Sequence, residues 1–412
     1  MTKGLHVPSE IGKLRKVCLH RPGDELLNLP PDELERLLFD DVPFLEVAQQ
    51  EHDTFAQILR DQGVEVLYLE NLVAEVFDQV PGARAEFTDQ YIAEAGIRGQ
   101  HMPQIVREKL DSIEDNLEFV KKTMAGMTKS EIDMPLTAST TLDSLVNSES
   151  ESDLIIDPMP NLYFTRDPGA CVGEGINIHR MHTPARKRES LLLKYMYLYN
   201  RDFATLDNKM WYDLSDSYSI EGGDVLVLSK DIVAIGLSER TTVSGAETFA
   251  RNLLQNSDFK KVLAFDIPET RAFMHLDTVF TMVDYDKFTI HPEIEGPLSV
   301  YEMTLDEHGE LRFGAIKEEL KDILALELKL PAVDLIRCGG GDLMAAQREQ
   351  WNDGSNTLCI APGRVITYER NYVTNDLLAK HGLDVLTVPS AELSRGRGGP
   401  RCMSCPVNRD DL

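Results

Sequence analysis

The sequence lacks the features that mark a membrane, secreted or nucleic-acid-binding protein. Of its 412 residues only 42 are Lys or Arg, against 69 Asp or Glu, so the net charge is −27. Nucleic acids are bound through clusters of basic side chains, and this deficit argues against such a partner. No apolar run approaches the roughly 20 residues that span a bilayer, and the N-terminus has no apolar signal-peptide core. We therefore predict a cytoplasmic protein with no membrane partner.

Cysteine is also scarce, with six residues in the chain, which is typical of a reduced intracellular protein rather than a disulfide-stabilised one. Four cysteines lie inside apolar runs and are predicted to be buried as small hydrophobic residues: Cys18, Cys171, Cys338 and Cys359. The other two, Cys402 and Cys405, lie in a glycine- and arginine-rich stretch that we predict to be flexible. Hydrophobic residues make up 42% of the chain, enough for a large core.

What the chain has in abundance is a repeated pattern of short strands and amphipathic helices. Five successive stretches follow roughly the order strand, strand, helix, strand, judged by β-branched runs and by 3.6-residue apolar periodicity. The helices are predicted at 45–62, 184–199, 244–254, 316–326 and 374–381. The strand that closes the second of these stretches is predicted near 203–206. Repeats of roughly 50 residues bury their apolar faces only against their neighbours, which favours a closed, pseudo-symmetric arrangement.

The stretch 75–146 departs from this repeat. Apolar side chains recur there at spacings of four and three residues, at Val106, Leu110, Ile113, Leu117, Val120 and Met124. This spacing predicts one amphipathic helix that ends at Gly126. We therefore assign 1–74 and 147–412 to the repeat scaffold and 75–146 to a helical insertion domain.

Cys402 and Cys405 form a C-x-x-C pair that admits three interpretations. A zinc or iron–sulfur site needs further ligands at matching spacing, and the sequence has no second such pair. A thioredoxin-like redox pair normally precedes a helix, whereas this pair follows the last predicted strand. As a single nucleophile, Cys402 would have Arg395, Arg397 and Arg401 nearby, whose positive charge lowers the pKa of a thiol. Spacing alone leaves a nucleophile, an inert thiol and a metal or redox pair open.

Carboxylates and one histidine recur in successive repeats. His275 and Asp277 are two residues apart in a stretch predicted to be extended, so their side chains share one face, although a surface His–Asp pair has the same spacing. Asp167 precedes a proline, which favours an extended or turn conformation. Glu221 begins an E-G-G-D motif with a permissive backbone. A pseudo-symmetric ring would bring these residues and Cys402 to one axis, where we expect a shared site.

Six motifs follow one another along nearly the whole chain. They are F-D-D-V-P at 39–43, P-N-L-Y-F-T-R-D at 160–167, E-G-G-D at 221–224, M-H-L-D at 274–277, the G-G-G-D and W-N-D-G pair within 339–354, and S-R-G-R-G-G-P-R-C-M-S at 394–404. Together they resemble the bacterial arginine deiminase family of the guanidine-modifying, or pentein, superfamily. The resemblance implies an α/β fold, a five-bladed pseudo-symmetric propeller of ββαβ units with an α-helical insertion.

The resemblance also implies hydrolysis of L-arginine to L-citrulline and ammonia, with no cofactor and no metal. Cys402 would attack the guanidinium carbon to form an S-alkylthiouronium intermediate that water hydrolyses. Asp167 and Asp277 would bind the guanidinium, His275 would transfer protons, and Glu221 would orient the imidazole. L-Arginine is then the small-molecule partner. A homo-oligomer, dimer or tetramer, fits the family.

Substrate-binding residues are implied by the same resemblance. Asn161, Arg186 and Arg240 would hold the α-carboxylate, and Phe164 would pack along the aliphatic stem of the substrate. Without the resemblance, Arg186 is better explained as part of a solvated helix face. Near the substrate head, Gly396 and Arg397 would form a mobile lid, and Leu38, on the loop of the F-D-D motif, would face it.

Other activities fit parts of the sequence. An amidinotransferase would pass the amidino group to an amine, and a methylarginine hydrolase would act on a modified arginine. The helical insertion, with Arg186 and Arg240, favours the deiminase over both. A metal or redox protein using Cys402 and Cys405 is an alternative of another class. An inactive binding homologue is a further one, against which the intact candidate catalytic residues argue.

Overall fold

Short strands and helices alternate along the chain, which a computed structural model describes over residues 4–97, 100–132, 152–205, 208–268, 273–295 and 298–412. The strands are β1 (Leu14–Leu19), β2 (Glu65–Tyr68), β3 (Met127–Thr128), β4 (Leu154–Ile156), β5 (Gly169–Val172), β6 (Gly175–Ile178), β7 (Met210–Tyr212), β8 (Val225–Ser229), β9 (Ile232–Leu237), β10 (Lys261–Asp266), β11 (Phe280–Met282), β12 (Lys287–Ile290), β13 (Ser299–Leu305), β14 (Leu311–Ile316), β15 (Asp334–Arg337), β16 (Leu358–Ala361), β17 (Arg364–Tyr368), β18 (Asp384–Val388) and β19 (Cys405–Arg409). The helices are α1 (Leu45–Asp61), α2 (Leu69–Gln79), α3 (Ala83–Glu94), α4 (Met102–Asp111), α5 (Asn116–Ala125), α6 (Glu189–Tyr199), α7 (Val243–Asn256), α8 (Leu276–Val279), α9 (Leu320–Glu327), α10 (Leu343–Trp351) and α11 (Tyr372–Lys380).

One sheet topology recurs five times within these ranges. Two antiparallel strands are followed by a third that runs parallel to the second, as in β5–β6–β7, β8–β9–β10, β11–β12–β15 and β16–β17–β18. The fifth instance joins distant parts of the chain: β19 pairs antiparallel with β1, and β1 pairs parallel with β2. The hairpin β13–β14 extends the sheet of β8–β9–β10 to five strands. The predicted mixed α/β class is therefore confirmed.

Most predicted elements agree with the structure to within a few residues. Helix α1 occupies Leu45–Asp61, where 45–62 was predicted. The helix predicted at 316–326 begins later, because its first residue ends β14, in a hairpin that the repeat pattern does not include. The strand predicted near 203–206 is wrong for its described residues, because a turn follows α6 and the third strand of that unit is β7. Its last residue, Leu206, lies outside the described part.

The region predicted as a helical insertion contains helices in its described part, but the long helix predicted to end at Gly126 is two helices, α4 and α5. The break arises because the Asp115 side chain starts a new helix by accepting a hydrogen bond from the Glu118 N–H (2.9 Å). Both helices turn apolar side chains to the same core, so the apolar spacing continues across the break.

Helices α2 and α3 pack directly on α6 of the repeat scaffold. The rings of Phe77 and Phe87, from α2 and α3, lie 6.3 and 5.2 Å from the ring of Tyr195 on α6. The two regions thus share one apolar core. Residues 98–99 and 133–146 of the predicted insertion lie outside the described residues.

All six cysteines are buried and none forms a disulfide. Burial of the four cysteines in apolar runs, Cys18, Cys171, Cys338 and Cys359, is confirmed. The prediction of a flexible stretch around Cys402 and Cys405 is wrong, because β19 and the turn before it are packed against β1 and β5. Within the described ranges, no helix combines the length and apolarity that a membrane span requires.

Candidate active site

The recurring sheet topology brings the candidate residues together. Asp167 lies just before β5, Glu221 caps the short 3₁₀ helix before β8, and Asp277 lies in α8 just before β11. In the remaining two units, Asn356 lies just before β16 and Cys402 just before β19. Each residue therefore lies at the entrance to the first strand of its unit. Equivalent positions in packed repeats can meet in space, and hydrogen bonds join Cys402, Asn356 and Asp277 directly. The negative charge of Asp167 acts on both Cys402 and His275.

Cys402 is 3% exposed, and the side chain of Asn356 binds both its backbone and its sulfur. Its backbone N–H donates to Asn356 Oδ1 (3.0 Å), and Asn356 Nδ2 donates to its sulfur (3.1 Å). Cys402 Sγ also lies 3.5 Å from Asp277 Oδ2. The predicted nucleophile and one predicted guanidinium ligand are thus in direct contact.

Asp167 and Asp277 are each anchored by a buried arginine. A buried arginine donates to one oxygen of each carboxylate: Arg186 Nη1 to Asp167 Oδ2 (2.8 Å) and Arg401 Nη1 to Asp277 Oδ2 (2.7 Å). The second oxygen of each, Oδ1, is buried and accepts no hydrogen bond from any described residue. Buried carboxylate oxygens without a partner are energetically unfavourable. These two atoms are therefore suited to receive the N–H groups of a cation.

His275 is buried beside Glu221, with 2.8 Å between Nε2 and Oε2. Burial alone would lower the pKa of His275, but negative charge on Asp167 and the hydrogen bond to Glu221 raise it from 6.5 to about 9. Burial would raise the pKa of Glu221, yet the hydrogen bond from His275 and the charge of Arg240 lower it. The pair is thus an imidazolium and a carboxylate at neutral pH. This burial rules out the alternative of a surface His–Asp pair at 275–277.

The electrostatic environment of the thiol differs from the sequence prediction. Burial and the negative charges of Asp277 and Asp167 raise the pKa of Cys402 well above its usual value. Asp353 adds to this effect, and Arg401 opposes it only in part, because Arg401 is paired with Asp277 itself. The predicted lowering of the thiol pKa by neighbouring arginines is therefore wrong. A cation placed between the carboxylates would reverse the effect.

Asn161, Phe164 and Arg186 are all buried at this site. Arg186 does not lie on a solvated helix face, as one reading of the sequence suggested, because its guanidinium binds Asp167 and Glu189. Asn161 donates its amide to the Leu37 carbonyl (2.7 Å), and its own carbonyl accepts from Arg186 (3.4 Å). Phe164 packs against the glycine-rich loop, where a Cβ on Gly398 would lie 2.4 Å from the ring.

Arg240 is a buried cation with weak partners. Its Nη1 donates to Thr183 Oγ1 (3.3 Å) and its Nη2 lies 3.8 Å from Met274 Sδ. Glu239 is a more distant ion-pair partner at 3.8 Å, and Nε donates no hydrogen bond to any described residue. A buried guanidinium bound this loosely can still accept a bidentate anion such as a carboxylate.

The loop before Cys402 covers the site. Arg397 lies with its guanidinium carbon 3.7 Å from the centroid of the Trp351 ring, and its Nη1 donates to Asp40 Oδ2 (3.2 Å). Arg397 and Leu38 have positive φ angles of 62° and 65°, which are uncommon for non-glycine residues and are often found at functional segments. At Gly396 a Cβ would lie 2.1 Å from the hydroxyl of a buried tyrosine, so only glycine fits there.

Two buried residues of the site, Asn356 and Asp353, were not assigned a role from the sequence, and a third, Arg401, was considered only as a positive charge near the thiol. Burial raises the pKa of Asp353 to about 7, although Arg397 lowers it. The W-N-D-G motif pointed to this segment, but the clearer signal is position, since Asp353 and Asn356 precede the first strand of their unit as Asp167 does. The role of Arg401 as an anchor of the site is visible only in the structure, where it forms ion pairs with Asp277 and Glu10.

Cys405 has surroundings distinct from those of Cys402. Its sulfur lies 3.6 Å from the Gly169 carbonyl oxygen, and Cys171 lies beside it. Cys402 instead contacts Asn356 and Asp277. The two sulfurs thus have no common ligand among the contacts described. No cluster of three or more His, Cys, Asp or Glu side chains suited to a metal ion occurs in the described part of the chain.

Two solved enzymes share this α/β fold. An amidinotransferase from saxitoxin biosynthesis in Microseira wollei is 14% identical, with a TM-score of 0.53 over 99% of this chain and 98% of that one. A dimethylarginine dimethylaminohydrolase from Pseudomonas aeruginosa, complexed with citrulline, is 13% identical, with a TM-score of 0.50 over 95% and 99% of the two chains. At these identities the likeness establishes the shared α/β fold.

Sequence comparison specifies the family. The sequence model of the family "Arginine deiminase" matches residues 35–409. The chain is also 55% identical to two arginine deiminases of Streptococcus pyogenes over 409 residues, which cover 99% of this chain and 98% of each relative. This chain belongs to the arginine deiminase family.

Proposed function

We propose that the protein hydrolyses L-arginine to L-citrulline and ammonia through a covalent intermediate on Cys402. The observation that carries this proposal is the pair of buried aspartates, Asp167 and Asp277. Each is anchored by an arginine through one oxygen, and its other oxygen accepts no hydrogen bond from any described residue. A planar cation with N–H groups on two sides fits such a pair. Membership in the arginine deiminase family supports the same substrate.

Binding of the guanidinium would activate both reactants. The substrate cation would offset the carboxylate charges that raise the pKa of Cys402, so the thiol would lose its proton more readily. The two aspartates would fix the guanidinium plane with charge-assisted hydrogen bonds. The Cys402 sulfur, already in contact with Asp277, would then lie close to the electrophilic carbon.

The proton transfers fit the His275–Glu221 pair. The Cys402 thiolate adds to the guanidinium carbon, and His275, protonated at neutral pH, donates its proton to the nitrogen that leaves as ammonia. This step yields an S-alkylthiouronium. Neutral His275 then removes a proton from water, which adds to the same carbon. Collapse of that adduct releases its O–H proton to solvent, expels the Cys402 thiolate and leaves the neutral urea group of citrulline. Glu221 holds the imidazole throughout.

The direct test is incubation with L-arginine and measurement of both products. Citrulline and ammonia should form in equal amounts with no added amine acceptor. Product formation only in the presence of an amine acceptor would indicate an amidinotransferase, and preferential release of methylamines from methylated arginine would indicate a methylarginine hydrolase. Neither result is compatible with the proposal.

Removing one charge from the guanidinium clamp is expected to lower activity strongly. Asp167→Asn and Asp277→Asn each preserve shape while replacing an acceptor that faces the substrate cation. Loss of a buried charged hydrogen bond costs about 2–5 kcal/mol, so kcat/KM should fall at least roughly 30-fold. Asp53→Asn, in an exposed ion pair with Arg21, is the matched control. Wild-type kinetics in both clamp variants would contradict the assignment.

The pH dependence should report the state of His275. Because its pKa is raised to about 9, the imidazolium that protonates the leaving group persists through neutral pH, and kcat should decline as pH rises through about 9. Glu221→Gln removes one of the groups that raise this pKa, so the alkaline decline should move to lower pH by roughly one unit. kcat–pH profiles of the two proteins, with an NMR titration of His275, give the comparison. An unmoved alkaline limb would argue against control by Glu221.

The finer architecture is part of the proposal. Five sheets of one topology, with β19 completing the sheet of β1 and β2, support a five-bladed propeller of ββαβ units. We also assign 1–74 and 147–412 to this catalytic scaffold and 75–146 to an inserted helical domain. A cytoplasmic location and a homo-oligomeric state stay predictions.

A further inference from the structure

The side chain of Asn356 makes three hydrogen bonds, all to groups of the candidate active site. The residue is fully buried, with 0% of its surface exposed. Its Oδ1 accepts from the Cys402 N–H (3.0 Å), and its Nδ2 donates to Cys402 Sγ (3.1 Å) and to the Asp277 carbonyl (3.2 Å). One side chain therefore joins the nucleophile to the segment that carries a guanidinium ligand.

The chemistry of these partners fixes the orientation of the amide. Oδ1 faces an N–H donor and Nδ2 faces a carbonyl acceptor, so a rotated amide would place donor against donor and acceptor against acceptor. The same arrangement directs an N–H at the sulfur. The loop before Cys402 packs closely on this residue as well, since a Cβ on Gly399 would lie 2.5 Å from the Asn356 carbonyl oxygen.

We propose that Asn356 is a positioning residue that holds the Cys402 sulfur against the guanidinium clamp and stabilises it as a thiolate. The inference deepens the proposed function, on which its catalytic meaning rests. An amide N–H binds an anionic sulfur more strongly than a neutral thiol, so this contact favours the ionised form. The neighbouring carboxylates of Asp277, Asp167 and Asp353 raise the pKa of the thiol. Among the main influences on that pKa, Arg401 is the only cation that lowers it.

The test compares Asn356→Asp with the wild type by the rate at which iodoacetamide alkylates Cys402. Asp is isosteric and keeps the acceptor for the Cys402 N–H, so the variant should fold, but it replaces the donor with a fourth carboxylate. Alkylation of Cys402 is followed by peptide mass spectrometry across neutral and alkaline pH. At neutral pH it should be at least about tenfold slower in the variant than in the wild type. The midpoint, the pH at which the alkylation rate reaches half its maximum, should be at least about one unit higher in Asn356→Asp than in the wild type.

Two further variants complete the design. Asn356→Ala removes the donor without adding charge and should shift the midpoint upward by a smaller amount, which keeps the test informative if the aspartate variant is unstable. The control is Asn352→Ala. Asn352 lies in the same segment, where its side-chain amide donates to the Arg348 carbonyl (2.9 Å), and the variant should match the wild type. Lower arginine turnover in both Asn356 variants with an unchanged alkylation profile would mean a merely structural role and would overturn the inference.

Alkylation is independent of arginine chemistry, so the two proposals fail separately. If the wild type does not convert arginine but the Asn356 variants shift the thiol profile, the proposed function is wrong and the stabilisation of the thiolate by Asn356 stands. If the wild type produces citrulline and the profiles coincide, the function stands and this inference is wrong.

Discussion

Cys402→Ser is expected to abolish citrulline formation. A serine hydroxyl is barely ionised at neutral pH, and the carboxylates that raise the pKa of the Cys402 thiol would disfavour an alkoxide even more. His275 is bound to Glu221, and no described contact places it where it would activate a serine. The measurement is citrulline release under saturating arginine, with mass spectrometry to detect the covalent adduct that only the wild type should form.

Cys405→Ser is the matched control for this experiment. Cys405 is equally buried but lies on β19 beside Cys171 and the Gly169 carbonyl, so the variant should retain most of its activity. An equal loss of activity in both variants would contradict the single-nucleophile mechanism and restore the paired-cysteine interpretation.

Arginine should be hydrolysed about 10⁴-fold more efficiently than agmatine, which has the guanidinium but no carboxylate. A site built around a polar group rejects analogues that lack it by about this factor, because its buried partners are left unpaired. Arg186 is already bound to Asp167 and Glu189, so the effect should fall chiefly on Arg240. The measurement is kcat/KM for both substrates.

The variant that tests this assignment is Arg240→Ala. It should lower kcat/KM for arginine and reduce the ratio of the kcat/KM values for arginine and agmatine. The control Arg251→Ala, which removes an exposed ion pair with Glu247, should change neither quantity. Comparable turnover of the two substrates by the wild type would remove the carboxylate-binding assignment and indicate a relative that acts on agmatine.

The positions of the site residues were predictable because they follow local patterns. Asp167, Glu221, Asp277 and Cys402 lie in short motifs beside strands, and the repeat of strands and helices is readable from apolar periodicity. The repeat predicts that such positions meet, and the hydrogen bonds connecting Cys402, Asn356 and Asp277 agree with that expectation.

The partners of these residues were not predictable, because they are distant in sequence. Arg401 binds Asp277 from 124 residues away, and no local pattern indicates that the charge nearest to Cys402 in sequence is neutralised by an acid from another unit. The expected pKa of Cys402 therefore had the wrong direction. The break between α4 and α5 was missed for a related reason: the apolar spacing records the shared core, whereas the side chain of Asp115 decides where a helix starts.

The pairing of β19 with β1 bears on how the enzyme is made. Ribosomes synthesise a chain from its N-terminus, so β1 emerges early. Its antiparallel partner β19 does not exist until residues 405–409 have been translated. Cys402 emerges immediately before that strand. A nascent polypeptide therefore carries first Asp167 and then also Asp277 before it has a nucleophile or a complete first sheet. Activity should begin only after the final step of folding, and a premature stop codon upstream of β19 would yield no partly active product.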